Sequence, residues 1–286
     1  CAVNKYLYEE RLRRGKKTAD GAVLKLALNG VYGDSNNKYS PFYDPQYTMS
    51  ITVNGRLMLC MLAEWLRRDG LTMIQINTDG LTVRVRKDAV QWMMDTCKAW
   101  EQRTGLELES VQYGKMIIRD VNSYIAVSQD GTVKKRIGAY AYLTPMDDKM
   151  TRERQWHQNH SMLVCRKAAE AQMVHGIPVR KFIMSHRDPF DFMLSVKVPR
   201  SSRLLHGDDK VQNTSRFYVS IDGNHLTKIM PGLRDGPERH FSVQSGWRVT
   251  LTNDVRHFRW DNINWLYYIT EAEKLVIDEQ GSAVRG

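Results

Sequence analysis

At 100° per residue, Lys25, Asn29 and Tyr32 fall within one narrow sector of a helix, lining an ammonium, an amide and a phenol along a single stripe. An ammonium so placed pairs with triphosphate oxygens, and flat polar groups beside it line a nucleotide as it enters. Gly33, one residue on, leaves room for another backbone or a planar base to approach. The same stripe also fits an ordinary solvated helix face ended by a glycine. Leu24, Leu26, Leu28 and Val31 around it read as core.

Asn77-Thr78-Asp79-Gly80 is the second string with chemistry in it. Asp-Gly is a preferred centre of a tight hairpin turn, and a turn alone accounts for it. A carboxylate fixed between two buried strands can also hold Mg²⁺ against substrate phosphates, which such sites do with one or two carboxylates. Other groupings say less. His157 and His160 stand at i and i+3 with no nearby carboxylate or cysteine to complete a metal set, so an exposed helix face is expected. Asp147-Asp148 and Asp208-Asp209 sit in loop-like surroundings. P-loop, nucleophile-elbow and dinucleotide glycine fingerprints are absent.

The elements that position these residues follow from periodicity and breakers. Residues 3–17 are helix-prone and basic toward their end, and Thr18-Ala19-Asp20-Gly21 is expected to turn the chain into a second, antiparallel helix over about 22–31. Gly33 to Asn37 should end that helix, and Pro41 and Pro45 mark a loop. Ile51, Leu57, Leu59, Leu62, Trp65 and Leu66 suit an amphipathic helix over 48–68 that packs on a sheet. A hairpin over 73–85 and a helix over about 88–103 come next. Residues 106–143 then read as short strands, with a hairpin turning at Gln129-Asp130-Gly131. A boundary is expected at Thr144–Asp148, helix over 151–176, and alternating strands and turns over 196–286.

A chain of 286 residues can bury one large or two modest cores. Its 42 Lys and Arg against 32 Asp and Glu give a formal charge of +10, which favours polyanions such as nucleic acid. The excess concentrates in residues 1–38, 115–136 and 180–216, which suggests several contacts along an extended anion. Cys1, Cys60, Cys97 and Cys165 lack the paired spacing of a zinc knuckle or a disulfide framework, in keeping with a reducing compartment. No apolar run approaches the roughly 20 residues of a membrane span, so a cytoplasmic protein is expected. The first residue, Cys1, suits a chain that begins inside a longer product, at a processing or splice junction, or after trimming.

The order of these motifs resembles that of family B DNA polymerases, with phage-type members closest in style. Lys25, Asn29, Tyr32 and Gly33 match the family's fingers motif, with Gly30 in place of the usual serine. The hairpin is similar to the family's Asp-Thr-Asp-Ser, whose second aspartate is the principal metal ligand and corresponds to Asp79; Asn77 and Gly80 replace the outer members. Ile118-Arg119-Asp120-Val121-Asn122-Ser123-Tyr124 looks like the basic-plus-tyrosine motif that tracks the primer end, and Lys134, Lys135 and Arg136 would extend that track. A charged strand face accounts for these residues equally well. Arg200, Arg203 and Arg216 would grip duplex phosphates from the thumb.

The resemblance implies an α+β fold with part of the polymerase right hand: a helical fingers hairpin over 1–40, half of an antiparallel palm sheet over 41–145, and a mixed thumb and C-terminal extension over 146–286. It implies Mg²⁺ in a two-metal site, dNTPs and a DNA primer-template. The family's first metal aspartate and its proofreading carboxylates have no counterpart, and Ser40-Pro41-Phe42-Tyr43-Asp44-Pro45, the nearest string, has the wrong order. The implied partner is therefore an N-terminal polymerase part carrying the other aspartate and an exonuclease. Two alternatives stay open: a non-catalytic nucleic-acid-binding protein on a polymerase-derived scaffold, and an unrelated basic α+β domain whose turn and helix mimic the motifs.

Overall fold

The computed structural model describes residues 2–142, 161–232 and 236–277. The chain divides into two compact units, Cys1–Ser110 and Val111–Gly286. Their border falls inside the 41–145 segment, and the boundary expected at 144–148 lies outside the described residues, as do His157 and His160.

In the first unit, α1 (Ala2–Arg14) and α2 (Ala19–Asp34) form a helical hairpin. The expected break at Thr18–Gly21 lies earlier, at Gly15–Lys17. Thr18 is the N-cap of α2 and its hydroxyl accepts from the Gly21 amide at 3.0 Å, which draws Ala19–Gly21 into the helix. The turn is tight: a Cβ on Gly21 would stand 2.1 Å from the Gly15 carbonyl oxygen. Arg14 pairs with Asp20 at 3.0 Å, and the Arg11 Nε donates to the Gly21 carbonyl at 3.2 Å. Pro45, read from the sequence as loop, is instead the first residue of α3 (Pro45–Arg68) behind the N-cap Asp44, where a missing N–H costs nothing.

The C-terminal half of α3 carries the core of this unit. Leu62, Leu66, Leu71 and Trp100 are buried together, packed by Met58, Met61 and Trp65 of α3 and by Met73, Leu81 and Val83 of an antiparallel hairpin, β1 (Thr72–Ile76) and β2 (Leu81–Arg84). α4 (Val90–Thr104), entered through a single 3₁₀ turn, closes the cluster with Met93, Cys97 and Trp100, whose indole N–H donates to the Met58 carbonyl at 2.9 Å. Each fully buried Leu contributes about 1.5–3 kcal/mol, so these few side chains hold the hairpin against α3.

The second unit begins with the antiparallel sheet β3 (Lys115–Asp120), β4 (Ser123–Val127) and β5 (Val133–Ile137). Next come α5 (Leu163–His175) and two short helices that the sequence did not announce, α6 (Val179–Ser185) and α7 (Pro189–Phe192). Strands β6 (Leu194–Lys197), β9 (Thr214–Asn224) and β12 (Val249–Leu251) make one antiparallel sheet in the order β12-β9-β6. Strands β7 (Arg203–His206), β8 (Asp209–Val211), β10 (Leu226–Met230) and β11 (Arg239–Ser242) make another, ordered β11-β10-β7-β8. α8 (Trp265–Glu273) completes the unit. The fold is thus mixed helix and antiparallel sheet.

One large apolar cluster joins α5, α6 and α8 to these strands, and Phe192 is its aromatic centre, edge-on to Trp260, Trp265 and Tyr268. The Tyr268 hydroxyl, fully buried, donates to the Phe192 carbonyl at 2.8 Å and accepts from the Val219 amide at 2.9 Å. Both of its hydrogen-bonding roles are filled, as burial demands. No helix among the described residues is long and apolar enough to cross a membrane.

Candidate functional site

α2 holds Lys25, Asn29 and Tyr32 on one face, and all three are exposed, as is Gly33 in the last turn. Gly33 is helical, with open space where a Cβ would stand. The face is anchored near its end: the Tyr32 hydroxyl lies 2.9 Å from the Thr52 hydroxyl of α3, and the Ser35 hydroxyl lies 2.6 Å from that of Thr48. One turn forward along α2 is therefore one turn back along α3, an antiparallel pairing. Ser35 is buried, and its carbonyl accepts from the Asp44 amide at 2.8 Å, which fixes the loop between the helices.

Asp79 stands exposed at the apex of the β1–β2 hairpin. The turn beneath it is closed by the Asn77 amide donating to the Gly80 carbonyl at 2.9 Å and by the Asn77 side-chain oxygen accepting from the Asp79 amide at 3.3 Å. That is an Asx turn, which leaves the Asp79 carboxylate clear of local bonds and explains what Asn77 does at its position. α3 supports both features: its first half ties down the end of α2, and its second half shares a core with the hairpin. At the hairpin apex the described residues offer a metal one hard carboxylate, Asp79. Among the described residues no group of three or more His, Cys, Asp or Glu side chains could hold a metal ion.

The residues expected to track a primer belong to the second unit. Arg119 lies at an irregularity of the β3–β4 register and is exposed. Asn122, also exposed, forms the next turn, its amide donating to the Asp120 carboxylate at 2.8 Å. Tyr124 is half-buried between its cross-strand neighbours Ile118 and Ile137. Lys134 and Lys135 are exposed on β5, with the Lys135 ammonium 5.9 Å from the centre of the Tyr113 ring.

Arg136 is a different case. Its strand position is shared with Ile125 and Ile117, the buried face of the sheet. Its guanidinium makes two bonds to Glu170 of α5, at 2.6 and 2.9 Å, and lies over the Tyr142 ring at 4.7 Å. The side chains are 19% and 7% exposed, so the pair ties sheet to helix and is not part of the exposed cationic row. Burial, with Glu170 alongside, pushes the Tyr142 phenol well above its ordinary range. Nearby, the buried Asp191 accepts from Lys167 at 2.6 Å and from His186 at 2.5 Å; burial works to raise its carboxyl, and these two partners hold it below the ordinary value.

Arg200 and Arg203 line a cleft of about 510 Å³ together with Ser202, Lys210 and Ile229. Arg216 lies outside it, its guanidinium 4.7 Å from the centre of the Phe190 ring, with Nη1 buried and without a hydrogen-bond partner. Sequence reading missed Lys210 as a companion of the two arginines. The signal was the Gly207-Asp208 turn between two strand-like runs, which folds β8 back on β7 and sets Lys210 opposite Leu205.

No protein-family model and no curated protein sequence matches the chain. One solved structure that resembles it is the family B DNA polymerase from the hyperthermophilic archaeon Pyrobaculum calidifontis, at 16% sequence identity and a TM-score of 0.45. The match covers 94% of this chain and 35% of that one, so the chain spans about a third of that polymerase's length.

Proposed function

We propose that this chain is the C-terminal part of a phage-type family B DNA polymerase, divided as 1–40 fingers, 41–145 palm and 146–286 thumb, and that it takes part in template-directed nucleotidyl transfer. One observation carries the reading. The fingers-motif residues Lys25, Asn29 and Tyr32 share a single solvent-facing helix face, while the aspartate of the hairpin motif stands clear of local bonds at an exposed apex supported by the same α3.

Lys25 neutralises triphosphate oxygens and so favours departure of pyrophosphate, while Asn29 and Tyr32 orient the incoming nucleotide. Asp79 would hold a divalent cation, which when bound activates the primer hydroxyl and offsets charge on the phosphates. A single carboxylate is half of the pair that this chemistry uses, so the other comes from an N-terminal polymerase part, which also carries the exonuclease. Arg119, Asn122, Tyr124, Lys134 and Lys135 run along the primer strand.

Primer extension by each part alone and by their mixture, with dNTPs and Mg²⁺, tests this. Activity should require both parts and vanish in Asp79→Ala; extension that survives this substitution removes Asp79 from the metal role. Asn77, in place of the first aspartate of the hairpin motif, also favours a second reading, a nucleic-acid-binding protein without catalysis. Metal-dependent incorporation separates the two, whereas a salt titration of binding does not, because counterion release weakens either kind of complex.

A further inference from the structure

The four-stranded sheet β11-β10-β7-β8 has two unlike faces. Leu204 and Leu226 of one face are buried in the main apolar cluster. On the other face Arg203 pairs in register with Ile229, and Leu205 with Lys210 and Thr227. That face forms the floor of the 510 Å³ cleft, where Ile229 is buried and Arg200, Arg203 and Lys210 are exposed around it.

The cleft is built rather than incidental. Pro199–Ser202 is a closed turn, the Ser202 amide donating to the Pro199 carbonyl at 2.9 Å. The Asn213 amide group bridges the Pro199 and Ser202 carbonyls at 3.1 and 3.0 Å, so the turn is held from outside as well. Ser202 is only 5% exposed, lines the cleft, and its hydroxyl has no hydrogen-bond partner. A buried hydroxyl without a partner is uncommon, and a ligand oxygen is a direct remedy. Glu238 also lines the cleft and holds Arg203 at 2.6 Å.

We propose that this cleft binds a phosphoryl group. Arg200 and Lys210 supply charge, the Ser202 hydroxyl donates to one phosphoryl oxygen, and the ligand displaces Glu238 to take the Arg203 guanidinium fork. Among the described lining residues three cations stand against one carboxylate, and removing that carboxylate should improve binding. The inference stands on this unit's own geometry and does not need the polymerase reading.

Titration of the full chain with inorganic phosphate, followed by ³¹P NMR and calorimetry in chloride buffer, tests it. Phosphate should bind at one site, about tenfold more weakly in Arg200→Ala and in Lys210→Ala, more weakly in Ser202→Ala, and more tightly in Glu238→Gln. Arg200 and Lys210 are exposed, so those two variants keep the fold. Absence of binding at millimolar phosphate, or binding that none of the four substitutions alters, overturns the proposal. A 5′-phosphorylated oligonucleotide and its 5′-hydroxyl form then identify the source. If the same variants weaken oligonucleotide binding, the phosphoryl group belongs to nucleic acid; if they weaken only inorganic phosphate, it is the free anion. Loss of primer extension with this binding intact would strike the polymerase reading alone.

Discussion

Removing the Glu170 carboxylate by Glu170→Gln is the most direct way to learn whether Arg136 serves the fold or a nucleic acid. Both bonds of the pair, at 2.6 and 2.9 Å, then lose their ionic partner, and an Arg136 side chain only 19% exposed in the parent chain is left with the Tyr142 ring against its guanidinium. Breaking a fully buried pair from one side costs about 3–5 kcal/mol. The partial exposure of Arg136 and the retained amide reduce this to about 2–3 kcal/mol. At roughly 2–4 °C per kcal/mol for a unit of this size, the midpoint should fall by about 4–12 °C. Calorimetry on Glu170→Gln, on Arg136→Met and on the double variant makes the assay. The double variant should recover part of the loss, since an apolar replacement for a buried pair is often close to neutral. The salt dependence of DNA binding should be the same in Arg136→Met as in the parent chain. If instead Arg136→Met leaves the midpoint unmoved and lowers the salt slope by about one unit, Arg136 contacts a phosphate and the structural assignment is refuted.

Lys25→Ala should raise the KM for dNTP by about 10–100-fold in the reconstituted extension assay, the loss of one charge-assisted contact; an unchanged KM would detach Lys25 from the triphosphate. Asp191 is held below the ordinary carboxyl value of 3.8, so its contribution to stability is complete above that value and disappears as pH falls through the folded-state value. Denaturation midpoints measured from pH 6 to pH 2 should therefore decline more steeply in the parent chain than in Asp191→Asn, and parallel curves would count against this. Gly21→Ala drives a Cβ onto the Gly15 carbonyl and breaks the Thr18 cap, itself worth about 1 kcal/mol. Hydrogen exchange should show amides of α1 and α2 losing protection while those of α3 and α4 keep theirs.

How far the sequence could be read differs from element to element. The 3.6-residue spacing of Leu59, Leu62 and Leu66 marks the buried face of α3, because one helical stripe must meet one core. Ile51 and Leu57, read into the same face, are exposed because the core covers only the C-terminal half of the helix. The α2 stripe was legible because helical geometry alone puts Lys25, Asn29 and Tyr32 side by side, but Leu26, read as core beside it, is exposed, with nothing among the described residues packed over it. Asn77-Thr78-Asp79-Gly80 announced its turn through local bonds that need no distant partner. Such features depend on neighbours within a few residues, and the sequence contains those neighbours.

The fate of individual charges was decided elsewhere. Lys134, Lys135 and Arg136 are three consecutive cations in the sequence, yet only Arg136 points at the sheet face that α5 covers, and Glu170 lies 34 residues away along the chain. Lys210 joins Arg200 and Arg203 only because β8 folds back on β7 and β10 pairs beside it. Whether a charge is solvated, paired or gathered into a cleft depends on what the chain brings against it from a distance. Local sequence fixes which way a side chain points along its own element; packing between elements fixes what it meets there.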